Sequence, residues 1–251
     1  MSGSITAVIP ARLGSTRLPE KPLLRKTGKF LIQHVYEQAA QARRIERVIV
    51  ATDSEKILEA VRSFGGEAEM TSAEHKTGTD RVAEVARRLD LDGVVNVQGD
   101  EPQLDPFDLD QVAASVLEND SEIATLAVPI ADAGQWADPH TVKVVVDGAF
   151  LALYFSRAPI PWAASFDQAK EAGIVYKHTG VYGYPREVLR RFTSLERAPL
   201  EELERLEQLR ALHHGIPIRV LKARSDSIGI DTIEDYQRFA EELARQARTS
   251  S

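Results

Sequence analysis

Short apolar runs and longer stretches with one apolar face alternate through the first hundred residues. Ile5 to Pro10 is apolar without a break, as expected of a strand buried on both faces. Leu31, Ile32, Val35, Tyr36 and Ala39 then recur at the spacing of one helix face. RVIVAT (47–52) is a second strand, and Asp53 or Ser54 stands where a cap is needed for a helix facing inward through Ile57, Leu58, Val61 and Phe64. GGEAEM predicts a turn into a short third strand. Thr79 or Asp80 starts a helix with Val82, Val85, Ala86 and Leu89 on its inner face, and GVVNVQ (93–98) is another buried strand. Repeated strand–helix–strand units with continuous apolar strands predict a mostly parallel sheet with helices on both sides.

The middle of the chain breaks this rhythm. TVKVVVD and AFLALYF flank Asp147-Gly148, a hairpin signal. RAPIPW, with two prolines, is excluded from regular structure. VYKHTGVYGY (175–184) reads as a strand and PLEELERLEQLRALHHG (199–215) as one helix ended by Gly215. IPIRVLKA is a last strand, followed by a helix from Thr232. No Gly-, Ser- or Pro-rich linker divides the chain, so one α/β domain is expected over 1–251, with an antiparallel insertion at about 130–185.

Composition narrows the function. A formal charge of −7 argues against nucleic acid as a partner, because phosphate-backbone binders carry a net basic face. The absence of cysteine excludes disulfides, thiolate zinc sites and thiol nucleophiles, and fits a reducing cytosol. No basic and apolar leader opens the chain, and no apolar run approaches the ~20 residues that span a bilayer. A cytoplasmic protein without membrane contact is the expectation.

Two polar clusters of opposite charge stand at strand ends, where open α/β sheets bind ligands. ARLGSTRLPEK follows the first strand and offers Arg12, Arg17 and Lys21, with backbone N–H groups around Gly14 for anionic oxygens. NVQGDEP (96–102) follows the GVVNVQ strand and carries Asp100 and Glu101 beside Gly99. A cationic loop facing a carboxylate fits a metal–phosphate site, since Mg²⁺ binds through one or two carboxylates plus substrate phosphates. The competing reading is solvated loop charge and an ordinary turn. Neither GxxxxGK[ST] nor GxGxxG occurs, which argues against a P-loop ATPase or a dinucleotide dehydrogenase.

IPARLGSTRLPEKPL, EHKTGTDR, VNVQGDEP, YFSRAPIPW, KHTGVYGY, LEQLRALHHG and GIDTIEDYQR occur in that order over more than 200 residues. Together they resemble the 3-deoxy-manno-octulosonate (Kdo) cytidylyltransferases, the CMP-Kdo synthetases of lipopolysaccharide synthesis. The resemblance implies a three-layer α/β/α, Rossmann-like fold of the nucleotide-diphospho-sugar transferase type. It implies transfer of CMP from CTP to Kdo with Mg²⁺, in a homodimer. Arg12 and Lys21 would bind the triphosphate, with Ala11, Gly14 and Ser15 in close contact; Thr77 and Gly78 would line the base pocket and Gln98 would help read cytosine. Asp100 and Asp231 would hold the metal, and Arg12, Lys21, Asp100 and Asp231 would form the catalytic set. Arg157, His178, Tyr182, Glu207 and Gln208 would hold the sugar acid.

Several of these positions have a plainer reading too. Asp231 precedes a helix it could cap, Thr79 could cap the helix after KTGT, and His178 could be an ordinary half-buried histidine. The chain also departs from the family pattern, with Glu20 where glycine is usual, TGKF (27–30) for GGKP and Thr179 for an aliphatic residue. A carboxylate beside a triphosphate would repel it, so Glu20 is expected to face solvent. Rival readings are a cytidylyltransferase for sialic acid or an 8-amino Kdo analogue, a hexose-1-phosphate nucleotidyltransferase, against which QGDEP and HTGVYGY argue, or a non-catalytic nucleotide-binding protein on the same fold.

Overall fold

The apolar run that opens the chain is β1 (Ile5–Ala11), with Ile5, Ala7, Val8 and Ile9 essentially sealed from solvent. α1 (Leu31–Ala39), β2 (Arg47–Thr52), α2 (Glu55–Ser63), β3 (Glu67–Met70) and α3 (Gly78–Arg88) follow as the periodicity predicts. The computed structural model describes residues 3–14, 18–227 and 229–249, and the chain divides into two compact units. The first comprises 4–91, 96–110 and 227–251; the second is built chiefly from 92–95 and 111–226.

In the first unit β1 pairs with β2 and β2 with β3, all parallel, with Val8 opposite Ile49 and Val50 opposite Ala68. Parallel neighbours need crossovers, which α1 and α2 supply by burying Leu31, Ile32 and Val35, and Ile57, Leu58 and Val61. α3 starts one residue earlier than the sequence predicts. Thr77 is its cap, accepting a 3.1 Å bond from the Asp80 N–H, while Thr79 is buried inside the first turn.

The remaining elements are β4 (Gly93–Asn96), α4 (Pro106–Glu118), β5 (Ile123–Pro129), α5 (Ala133–Ala137), β6 (Lys143–Val146), β7 (Ala152–Ser156), α6 (Phe166–Glu171), β8 (Tyr176–Pro185), α7 (Arg186–Ser194), α8 (Pro199–Glu204), α9 (Leu209–His213), β9 (Ile218–Lys222) and α10 (Ile233–Thr249). The second unit's strands run in the order β4-β8-β5-β9, with β6 and β7 off that path. β5 pairs parallel with β9 and antiparallel with β8, and β6 pairs antiparallel with both β7 and β8. The Asp147 hairpin forms as expected: its carboxylate accepts from the Ala149 and Leu151 N–H groups. The sheet is therefore α/β, parallel in one unit and mixed in the other.

Two sequence expectations fail here. β5 and α4 are absent from the periodicity reading, although IATLAVP is an apolar run that forms a strand buried over six of its seven residues. Residues 199–215 are not one helix. Arg205 adopts a left-handed conformation (φ 55°), and the chain re-enters helix only at Leu209. The break lets buried Arg210 reach buried Glu201 with a 2.9 Å Nε–Oε2 hydrogen bond. In an unbroken helix nine residues would separate them by about 13.5 Å along the axis.

Candidate active site

The end of β1 carries Ala11, which is buried, and then Arg12 and Gly14, which are exposed. Ser15 and Arg17 lie outside the described residues. Leu18 returns the chain to an apolar cluster with Leu31, Ile230, Tyr236 and Phe239, and the Tyr236 hydroxyl accepts a 2.7 Å bond from the Lys26 N–H. The loop is thus anchored at its far end by α10. Glu20 has a left-handed backbone (φ 51°), the region that favours glycine, which gives its departure from the family pattern a conformational cost. Its side chain is 53% exposed and accepts a 2.8 Å bond from Lys56, so it faces solvent as expected.

Lys21, by contrast, points inward. Its ammonium donates to Asp100 Oδ2 at 2.6 Å, to the Ile230 carbonyl at 2.8 Å and to Asp231 Oδ1 at 3.4 Å. Two backbone features bring these groups together. The Ile230 N–H donates to the Asp100 carbonyl at 2.9 Å, which ties GIDTIED to QGDEP. Gly99 passes so close to β1 that a Cβ there would lie 3.1 Å from the Pro10 carbonyl oxygen. The plainer reading of Asp231 as a helix cap is not what forms. Thr232 caps α10 in a reciprocal box with Asp235: the Asp235 N–H donates to Thr232 Oγ1, and Asp235 Oδ2 accepts from the Thr232 N–H. Thr77 and Gly78 open α3, and Gln98 is half-buried just after β4. All of these residues belong to the first unit.

The proposed sugar residues all belong to the second unit. His178 and Tyr182 meet on β8 with ring centroids 5.3 Å apart, and Phe155 stands edge-on to the imidazole at 5.0 Å. Burial lowers the His178 pKa from 6.5 to about 3, so the ring is neutral at physiological pH. Thr125 Oγ1 donates to the Val181 carbonyl at 2.7 Å and therefore accepts from His178 Nε2–H at 3.0 Å. That fixes the tautomer and leaves Nδ1 as an acceptor. Burial, helped by Tyr184 and Glu207, holds the Tyr182 pKa well above 10, so its hydroxyl stays protonated. Glu207 and Gln208 occupy the break between α8 and α9, with Glu207 partly buried and Gln208 buried. Arg157 directs Nε to the Glu204 carbonyl and Nη1 to the Pro139 carbonyl, each at 2.9 Å.

Comparison with known proteins gives this arrangement its context. Residues 6–224 match the cytidylyltransferase family. The chain is 48% identical over 249 residues to the 3-deoxy-manno-octulosonate cytidylyltransferase of Geobacter metallireducens, covering 96% of this chain and 98% of the relative. It is 50% identical over 245 residues to the enzyme of that name from Idiomarina loihiensis, covering 94% and 96%. The chain belongs to the 3-deoxy-manno-octulosonate cytidylyltransferase family. A solved CMP:2-keto-3-deoxy-manno-octonic acid synthetase complexed with CTP superimposes with a TM-score of 0.91 at 41% identity, over 97% of this chain and 99% of that one.

A family member's metal requirement can be tested against the residues present. Three oxygens, two from carboxylates and one from a carbonyl, converge on the Lys21 ammonium, so the cluster already holds a cation. The donors are all hard oxygens, the set Mg²⁺ prefers. Among the described residues no group of three His, Cys, Asp or Glu side chains gathers as a metal cage. Sequence reasoning missed Thr125, which orients His178, and Glu204, which meets Arg157. Thr125 sits inside an apolar run and Glu204 among four other glutamates of one acidic stretch, so neither carries a local signal.

Proposed function

We propose that this protein activates Kdo with CTP, releasing pyrophosphate and giving CMP-Kdo. The observation that carries the reading is the convergence of Lys21, Asp100 and Asp231 at the foot of the β1 loop, in a family whose relatives bear that enzyme name. Those names refer to Kdo, which disfavours sialic acid and the 8-amino analogue, and catalytic relatives disfavour a binding-only role.

Arg12 and Lys21 take the triphosphate, with Ala11, Gly14 and Ser15 beside it and Thr77, Gly78 and Gln98 at the base. Arg157, His178, Tyr182, Glu207 and Gln208 take the sugar acid: the guanidinium receives its carboxylate, while the neutral imidazole and the phenol address hydroxyls. The anomeric oxygen of Kdo attacks the α-phosphorus in line. The new O–P bond forms as the bond to the β-phosphate oxygen breaks, and the hydroxyl proton leaves to water. Positioning and charge neutralisation dominate such transfers. Asp100 and Asp231 would hold Mg²⁺, which when bound offsets charge on the phosphate oxygens. Lys21 and Arg12 stabilise the charge that grows on pyrophosphate. A homodimeric, cytoplasmic enzyme acting as one domain with an inserted antiparallel region is part of the same proposal; among the described residues no helix is long and apolar enough to cross a membrane.

Pyrophosphate release measured for four nucleotides against a panel of acid sugars tests the reading. CTP with Kdo should be the productive pair, and Asp100→Asn should lower its kcat by ~10² or more, as loss of one electrostatic stabiliser does. Release from another pair but not from CTP with Kdo overturns the substrate assignment. Near wild-type turnover of Asp100→Asn overturns the site.

A further inference from the structure

The surroundings of Arg157 hold a feature that neither its charge nor its sequence motif requires. Its backbone N–H donates to Glu204 Oε2 at 2.9 Å, and its carbonyl accepts a 2.6 Å bond from Lys143 Nζ. One residue is therefore gripped at both ends of its main chain by side chains of opposite charge. Lys143 is wholly buried, and its remaining donors go to the carbonyls of Asp138 (2.9 Å) and Thr141 (2.6 Å). Three carbonyls match the three N–H groups of an ammonium. Burial lowers the Lys143 pKa, with Arg157 acting in the same direction and the charges of Asp138 and Glu204 opposing.

Glu204 is the last residue of α8, just before the left-handed Arg205. Its Oε1 accepts from Ser156 at 2.6 Å and from Tyr154 at 3.2 Å. Burial alone would raise its pKa, but hydrogen bonds from Arg157 N–H, Ser156 and Tyr154 outweigh that and keep it lowered, hence ionised. The carboxylate does not neutralise the guanidinium it adjoins. It spends its acceptors on the backbone N–H and two hydroxyls, while the Glu204 and Pro139 carbonyls fix Nε and Nη1. Among the described residues no hydrogen bond engages Nη2, so the fork is oriented by two carbonyls, and the Glu204 charge acts on it only through space. Lys143 is wholly buried and Glu204 partly so; a buried charge costs several kcal/mol, and an apolar side chain would fill the Lys143 position at less expense. Their closing on the N–H and the carbonyl of one residue is explained by placement.

We propose that Glu204 is a positioning residue for sugar-acid recognition: together with Lys143 it fixes the main chain and side chain of Arg157 so that the guanidinium meets the substrate carboxylate preorganised. The proposal rests on the reading above that Arg157 binds that carboxylate. It goes beyond it in assigning Glu204, whose carboxylate oxygens accept from Tyr154, Ser156 and the Arg157 N–H, control over affinity for the acid sugar alone.

The test is steady-state kinetics with Kdo and CTP varied separately, on wild type, Glu204→Gln, Arg157→Ala and the double variant. Glutamine keeps the shape of Glu204 but offers one acceptor oxygen in place of two. Glu204→Gln should raise KM for Kdo by about tenfold with KM for CTP unchanged, the scale on which a small misplacement of a binding group costs affinity. In the Arg157→Ala background the same change should add nothing, since the group it positions is gone. If Arg157→Ala raises KM for Kdo while Glu204→Gln does not, the positioning role is refuted and the sugar-site reading stands. If Arg157→Ala leaves KM for Kdo unchanged, the sugar-site reading fails and this proposal with it. Additive effects, or equal rises in both KM values, would mean a general structural role and also refute it. Should Glu204→Gln not fold, Ser156→Ala removes one bond to the same carboxylate. It should raise KM for Kdo about threefold, only while Arg157 is present, and no rise refutes the proposal.

Discussion

Acidification should expose His178 as a load on stability. The folded imidazole titrates near pH 3, whereas an unfolded one titrates near 6.5. As pH falls, the unfolded chain therefore takes up the proton first, and stability present above about pH 6.5 is lost as pH descends toward 3. The loss between pH 7 and pH 5 is insensitive to the folded value provided it lies well below 5, and it comes to about 2 kcal/mol. Its ring neighbour Tyr182, 5.3 Å away between centroids, has a raised pKa that keeps it out of this window. Glu207 influences Tyr182 but not the imidazole's direction of shift, which burial sets. Urea unfolding of wild type and His178→Gln at pH 7, 6 and 5 isolates the contribution, because glutamine retains a donor for Thr125 and cannot be protonated. Wild type should lose about 2 kcal/mol more than the variant over that range. Parallel pH dependences would refute the claim that the folded state holds His178 in its neutral form.

Three further perturbations follow from the packing. Glu201→Ala leaves Arg210 buried without its main partner and should cost about 3–5 kcal/mol in denaturant unfolding, with Gln208 and Glu207 displaced and KM for Kdo raised. Gly183→Ala would set a Cβ 2.5 Å from Val116 Cγ2 and 2.6 Å from Val112 Cγ1. It should destabilise by about 1–3 kcal/mol as α4 is pushed off β8, measurable as a lowered Tm. Glu20→Gly removes a side chain from a left-handed position and breaks only an exposed ion pair with Lys56, so kcat/KM for CTP should stay within about twofold of wild type and stability within ~1 kcal/mol.

Much of the first unit was legible in the chain because local pattern suffices there. A short apolar run bounded by turn residues and followed by a separate helical pattern fits a strand covered on both faces, and β1 and β2 are that. The same reasoning located the charged loop after β1 and the QGDEP turn. It failed where a decision depended on residues far away. The 199–215 segment has helical periodicity throughout, yet the Glu201–Arg210 ion pair is reached only by breaking it at Arg205. IATLAVP passed unassigned because a short apolar run fits a buried helix segment as well as a strand, and only pairing with β8 and β9 decides. Thr232 rather than Asp231 caps α10, a choice between adjacent residues that propensity cannot make.

By itself, then, the sequence determined the strand–helix alternation, the family, and which residue types stand at the ends of strands. Those follow from short-range periodicity and from motifs read in order. The tertiary structure decided that Lys21 meets Asp100 and Asp231, 79 and 210 residues away, and that Glu204 and Lys143 close on Arg157 from opposite sides. Such contacts are set by how the elements pack and by the need to pair charged groups drawn wholly or partly out of water, and neither leaves a mark on the local pattern of the chain.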